Sequence, residues 1–148
     1  MFTTIGCDQI TKTVARDVLP TTGALTYFGD HVRLQYAENP GAFLNFGAGL
    51  DESTRFWLFS VAVSVFLLSL LFAILRAHDP ARLIAFTLIL AGGIGNLIDR
   101  FSFGTVTDFL LLSAGPLHTG IFNVADMAIT FGVIALMLMP SLATARTS

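Results

Sequence analysis

Three stretches of the chain are apolar for long enough to shape everything else. Residues 56 to 75, FWLFSVAVSVFLLSLLFAIL, carry no charge, and a helix rising about 1.5 Å per residue takes them across a hydrocarbon core of about 30 Å. Residues 83 to 98, LIAFTLILAGGIGNLI, form a second apolar run that ends in a polar cluster. A third runs from Ile121 to Met139, IFNVADMAITFGVIALMLM, with Pro140 as its stop. Between the first two, RAHDPAR makes a short polar turn in which Pro80 suits the first position of a helix. The pattern predicts three membrane-spanning helices.

The first twenty residues, MFTTIGCDQITKTVARDVLP, behave differently. Asp8, Lys12 and Arg16 recur at i, i+4 spacing and so form one stripe of a helix. Taken alone the segment is too charged to span, and it lacks the basic, apolar and small-residue succession of a secretory signal peptide. It reads as the second half of a membrane helix whose first half lies upstream, an expectation that an in-frame apolar extension in the gene would meet. Further on, HVRLQYAENPG alternates Val32, Leu34 and Tyr36 with polar neighbours. That period of two predicts a half-buried strand in a small extramembrane sheet.

Composition sharpens this picture. The 148 residues are 54% hydrophobic and only 12% charged, against about 25% charged in soluble domains. One integral membrane domain, residues 1–148, is expected, with lipids and lipid-embedded molecules as partners. A net charge of -2 without a run of Lys or Arg excludes a nucleic-acid partner. The single cysteine, Cys7, excludes an internal disulfide framework and reads as a small buried thiol. His31, His78 and His118 lie far apart without metal-ligand spacing, so neither metal nor cofactor is expected. Arg76, Arg82 and Arg146 put the 76–82 turn on the cytoplasmic side, and Arg33, Arg55 and Arg100 on the other side vote against it.

The chemistry concentrates in GGIGNLIDRFSFGTVTDF, residues 92 to 109. An ionised side chain at the bilayer centre costs about 2.5–3.5 kcal/mol, so this set needs a use. Asn96, Asp99 and Arg100 share one helix face, and Gly92, Gly93 and Gly95 let another backbone approach. Asp99 reads as the charge partner of Arg100 in a pair that locks helices. Arg100 alternatively offers a donor fork to a substrate carbonyl or a lipid head group. Asp108, beyond a break at Gly104, is either solvated at the membrane surface or held for chemistry. Asp126 sits inside an apolar span with Asn123 three residues before it. It is either a functional intramembrane carboxylate or a charge favoured by the helix N-terminus.

Asp108 and Asp126 lie at neighbouring ends of two spans, on the same side of the membrane. If they converge, repulsion and desolvation make them share a proton, so one takes a proton from water while the other donates to a carbonyl. That is aspartic-peptidase chemistry without a metal. The rival is a transport or scaffold protein in which Asp108, Asp126 and Arg100 relay protons or lock helices. The single NPG at residues 39–41 reads as a tight turn feeding a loop near the site.

The motifs DQITK (8–12), ENPGAF (38–43), GGIGNLIDR (92–100), VTDF (106–109) and FNVAD (122–126) together resemble the ordered set of bacterial lipoprotein signal peptidase, signal peptidase II. The resemblance covers nearly the whole chain. It implies an all-α membrane protein: a four-transmembrane-helix bundle, its first helix cut short here, with both termini in the cytoplasm and a small extracytoplasmic β-cradle. It implies a monomeric, multi-pass aspartic endopeptidase of the bacterial cytoplasmic (inner) membrane, active at its outer face. Such an enzyme removes signal peptides from prolipoproteins just before a diacylglyceryl-modified cysteine. By motif, the catalytic dyad is Asp108 and Asp126. Substrate binding falls to Asn96, Arg100, Asn39, Gly41 and Asn123, and a structural polar role to Asp8, Lys12 and Asp99. The chain departs from the pattern at GAFLNFG (41–47) and at LLLSAGPLHTG (110–120), within loops expected to touch substrate.

Overall fold

The computed structural model describes residues 1–42 and 46–139. Phe43 at the end of ENPGAF, the rest of 43–45, the Pro140 stop and Arg146 lie outside the described residues. The protein is mostly helical with one small antiparallel sheet. Helix α1 is Phe2–Thr22, ended by Gly23 at φ 75°, and its buried stripe is Asp8, Lys12, Ala15 and Leu19. Asp8 and Lys12 belong to the i, i+4 stripe expected from sequence, while its third member, Arg16, is only half-buried. Cys7 corrects the reading of a buried thiol: it is exposed.

Helix α2, Glu52–Arg76, starts where Asp51 accepts the Thr54 N–H. It contains a π-helical segment at Phe56–Ala62. Helix α3, Pro80–Phe103, begins with Asp79 as N-cap and Pro80 in its first turn. It runs on through the polar cluster to Gly104, whose left-handed conformation (φ 76°) and N–H bond to the Arg100 carbonyl stop it. These two helices are long and apolar enough to cross a membrane.

The third expected span is shorter than the sequence pattern indicated. Helix α4 is Val124–Leu138, fifteen residues. Asn123 is its extended N-cap, accepting the Asp126 N–H while Asp126 accepts the Asn123 N–H, a reciprocal cap that ends the helix at this point. Ile121 and Phe122 are therefore outside it: Phe122 bridges to Leu110 of the sheet.

The sheet has four strands in the order β1 (Leu25–Tyr27), β2 (Val32–Asn39), β3 (Val106–Ala114) and β4 (Leu117–His118), all antiparallel. Strand β2 contains the alternating Val32, Leu34 and Tyr36. It pairs with β3 from Val32↔Leu112 to Asn39↔Val106, with an irregularity between Leu34 and Ala37. The register sets Asn39 at the same end of the sheet as Asp108, which pairs with Ala37.

Helices α3 and α4 pack with almost no side-chain spacer. A Cβ at Gly92 would strike the Ala125 carbonyl oxygen, and one at Gly95 would lie 2.6 Å from Asp8 Oδ2. Small residues permit this approach where no hydrophobic effect drives helix association, as in lipid. The outward faces of α2 and α4 are apolar: Phe66, Leu68 and Phe72 on one, Phe131, Ile134 and Met137 on the other are all exposed. Such continuous apolar surface is tolerated where lipid covers it. Gly92→Val is expected to lower thermal stability in detergent by about 1–3 kcal/mol or more, measured as a drop in Tm against wild type; an unchanged Tm would contradict the packing described.

Candidate active site

Two buried polar layers meet between α1, α3, α4 and the sheet. In the deeper one, Lys12 has no exposure at all, and its Nζ lies 2.9 Å from Asp8 Oδ2 and 3.4 Å from Asp99 Oδ2. Asp99 also lies 3.6 Å from Arg16 and accepts the Thr107 N–H at 2.9 Å. Two buried carboxylates are therefore balanced by the fully buried Lys12 and the half-buried Arg16. Asp8 spends its other oxygen on the Ala125 N–H at 2.8 Å, so α1 caps the start of α4. The expected Asp99–Arg100 pair does not form, because the two side chains point about 100° apart around the helix and Asp99 faces α1. Its cations come from Lys12 and Arg16.

Asn96 links this layer to the second. Lys12 Nζ donates to Asn96 Oδ1 at 2.9 Å. An ammonium only donates, so it forces the amide's Nδ2 outward, where it donates to Asp126 Oδ1 at 2.8 Å. Asn123 completes the chain: its Nδ2 donates to Asp108 Oδ1 at 2.7 Å and to Asn96 Oδ1 at 3.2 Å, and its backbone N–H reaches Asp126 Oδ2 at 3.3 Å. Asn39 supplies the last donor, to Asp108 Oδ2 at 3.0 Å. Each of the four carboxylate oxygens thus accepts an N–H, and one residue, Asn123, holds both carboxylates.

The fold brings these groups together through backbone pairing. Phe109 and Leu110 N–H both donate to the Phe122 carbonyl, and Phe122 N–H returns to Leu110. That bridge fixes Asp108 beside the Asn123 cap. Asp108 is buried on β3, and its carboxyl is pushed up to about 6, first by burial and then by the charge of Asp126, against the opposing hydrogen bonds from Asn39 and Asn123.

Arg100 leaves the face of Asp99 and turns toward the 40–42 turn. Its Nη2 donates to the Gly41 carbonyl at 2.6 Å, and its guanidinium lies 5.8 Å from the centre of the Phe59 ring on the π-helical segment. Its buried Nε has no hydrogen-bond partner among the described residues. Gly41 N–H donates to Asn39 Oδ1 and leaves no room for a Cβ beneath the Phe46 carbonyl. Of the residues picked out from sequence, Asp8, Lys12, Asp99, Asn96, Asn123, Asn39, Asp108 and Asp126 lie in the two layers and Arg100 and Gly41 lie beside them, with the amide groups of Asn39, Asn96 and Asn123 engaged with carboxylates. Among the described residues, the buried side-chain donor without a partner is Arg100 Nε.

Two participants were not singled out. Gln9 donates to Asp8, the Gly95 carbonyl and Asp99, and Thr107 accepts from Arg16 at 2.8 Å. Gln9 was visible within DQITK, beside a charged stripe. Thr107 was recognisable as a β-branched residue flanking an isolated Asp, had residues 106–114 been read as a strand.

The family model described as Signal peptidase (SPase) II matches residues 1–142. Relatives include the lipoprotein signal peptidases of Desulforapulum autotrophicum (36% identical over 88% of this chain and 82% of that one) and Moorella thermoacetica (36%, covering 93% and 89%). That of Azoarcus sp. is 39% identical over 93% of this chain and 77% of that one. A solved bacterial membrane enzyme, crystallised in meso, superposes with a TM-score of 0.79 at 24% identity, over 93% of this chain and 86% of its own. That likeness bears on the fold.

Two measurements follow from the site. Lys12→Met strands two buried carboxylates and is expected to cost about 3–5 kcal/mol, read as a large fall in Tm or a failure to accumulate folded protein. Asp108 binds its proton more tightly folded than unfolded, so its contribution to stability is complete below 3.8 and is lost as pH rises to about 6. Thermal scans across that window are expected to show Tm falling with pH in wild type and a shallower fall in Asp108→Asn; parallel slopes would refute the assignment.

Proposed function

The chain belongs to the signal peptidase II family and is a membrane peptidase that removes signal peptides from prolipoproteins; we propose that it does so as an aspartic endopeptidase with Asp108 and Asp126 as its dyad. The observation that carries this reading is the Asn123 bridge, which binds Asp108 through its side chain and Asp126 through its backbone. On this reading repulsion between the two carboxylates lets the pair carry one proton and titrate as a unit. One then takes a proton from the attacking water while the other donates to the scissile carbonyl, and the roles reverse as the amine leaves.

Each neighbour has a separate task in this reading. Asn39, Asn96 and Asn123 aim the carboxylates, which positions the water. Arg100, tethered to Gly41, offers its planar guanidinium to a substrate carbonyl. Asp8, Lys12 and Asp99 hold α1 against α3 and keep the Asn96 amide in its orientation. No step uses a metal or a cofactor.

The same reading orients the protein. Helix α3 carries the chain from the basic 76–82 turn at one end to the sheet at the other. With that turn in the cytoplasm, the sheet and the dyad lie at the outer face of the bacterial inner membrane, and α1 to α4 form the four-helix bundle of a single peptidase domain. A monomer surrounded by lipid suffices, since both carboxylates come from one chain.

The test is conversion of a diacylglyceryl-modified prolipoprotein followed by gel shift in liposomes. Asp108→Asn and Asp126→Asn are each expected to lose at least about 100-fold in rate while keeping the wild-type fold by circular dichroism. A folded variant that still cuts at the wild-type rate would remove that residue from the dyad.

A further inference from the structure

Thr107, the residue before Asp108 on β3, is buried, and each of its three polar atoms is bound to a different helix. Its backbone N–H donates to Asp99 Oδ2 on α3 at 2.9 Å, its carbonyl accepts from Asn123 Nδ2 at the α4 cap at 3.3 Å, and its Oγ1 accepts from Arg16 Nη1 on α1 at 2.8 Å. The two peptide planes that flank its Cα are thus pinned, and Arg16 holds its side chain. Successive strand residues point to opposite faces, so Thr107 reaches toward α1 where Asp108 reaches toward Asn39 and Asn123.

The second of those planes bears on the chemistry. The Thr107 carbonyl belongs to the peptide that carries the Asp108 N–H, and the amide that holds it is the same one that binds Asp108 Oδ1 at 2.7 Å. A side-chain amide has two N–H groups, and Asn123 Nδ2 divides them among Thr107 O, Asp108 Oδ1 and Asn96 Oδ1. A turn of the Thr107 peptide therefore changes the hydrogen bond to the carboxylate beside it. Arg16 is placed to prevent that turn: Nη1 is also 3.6 Å from Asp99 Oδ1, Nη2 donates to Thr13 at 3.4 Å, and the guanidinium carbon lies 4.5 Å from the centre of the Phe103 ring. A planar cation held from three sides makes a firm donor, and a charged donor strengthens the bond.

We propose that Thr107 is a positioning residue for Asp108, and that the Arg16–Thr107 hydrogen bond is the means by which α1, which holds neither carboxylate of the dyad, sets the alignment of that group. The proposal rests on the peptidase reading above. Thr107 acts from a buried position through the Asp108 backbone and the Asn123 amide, without touching the substrate. Misplacing a reacting group by about 1 Å costs about 100-fold in rate, so a partial loss of alignment falls on kcat and leaves KM in place. The hydroxyl carries the effect. Val has the same branched shape and the same preference for a strand, but it offers Arg16 no acceptor.

The experiment measures kcat and KM separately for a diacylglyceryl-modified prolipoprotein in phosphatidylcholine liposomes. Thr107→Val is expected to lower kcat about 10-fold while KM stays within about 2-fold, and Thr107→Ser to bring kcat back to within about 3-fold of wild type. Arg16→Met is expected to match Thr107→Val, and the double variant to be no slower than the slower single one, because both changes remove the same bond. A wild-type kcat in Thr107→Val, a loss that Thr107→Ser does not recover, or losses that multiply in the double variant would overturn the proposal while leaving the peptidase intact. Should Thr107→Val fail to accumulate as folded protein, Thr107→Ser and Thr107→Ala pose the same question with two small side chains: kcat about 5-fold or more higher in the Ser variant is expected, and equal rates overturn the proposal. If folded wild type does not convert the precursor, the peptidase reading fails and the positioning role goes with it.

Discussion

The ammonium of Lys12 lies wholly out of solvent between the carboxylates of Asp8 and Asp99, and the rest of the polar interior is arranged to make that position tolerable. Removing any member leaves an uncompensated charge in a medium that cannot solvate it. The need for balance brings α1 against α3, which requires a bare backbone at Gly95. It also frees the second oxygen of Asp8 to cap α4 at Ala125. Through Asn96 the same ammonium sets the direction of the hydrogen bonds that reach Asp126. The framework and the site are therefore one electrostatic unit.

The economy of that unit lies in residues that serve two structural elements at once. Asn123 is the N-cap of α4 and the bridge between Asp108 and Asp126. Phe122 closes the edge of β3 and thereby sets the distance at which the cap meets the sheet. Asn39 ends β2, tightens the 40–42 turn and binds Asp108. Groups fixed by helix caps and strand ladders need little reorganisation during a reaction, which is the condition for preorganised catalysis. Among the described residues, the buried side-chain donor left without a partner is Nε of Arg100, beside the π-helical segment, a kind of irregularity that recurs at functional sites.

Several features were legible along the chain because they depend on local spacing. The charged stripe of Asp8, Lys12 and Arg16, the strand at Val32 to Tyr36, the Pro80 start and the break at Gly104 all follow from helix or strand periodicity and from residue chemistry. Strand β3 was harder to see, since FLLL does not alternate and a continuous apolar run fits helix and strand alike. The start of α4 was placed three residues early because Ile121 and Phe122 continue the apolar pattern, while only the reciprocal Asn123–Asp126 bonds show where the helix begins. Adjacent numbering suggested Asp99 and Arg100 as partners, yet consecutive helical residues diverge and each found its contacts on a different element.

Sequence by itself determined the class of molecule, the two long spans, the charged stripe of the first helix and the polar residues that the fold gathers, because hydropathy, periodicity and motif spacing are properties of the chain. Tertiary structure alone decided which carboxylates meet, which cations neutralise Asp99 and which way the Asn96 amide points. Those outcomes depend on contacts between residues as far apart as Lys12 and Asn96 or Asn39 and Asp108. Directional hydrogen bonds and the cost of an unpaired buried charge select such contacts only after the helices and the sheet have packed together.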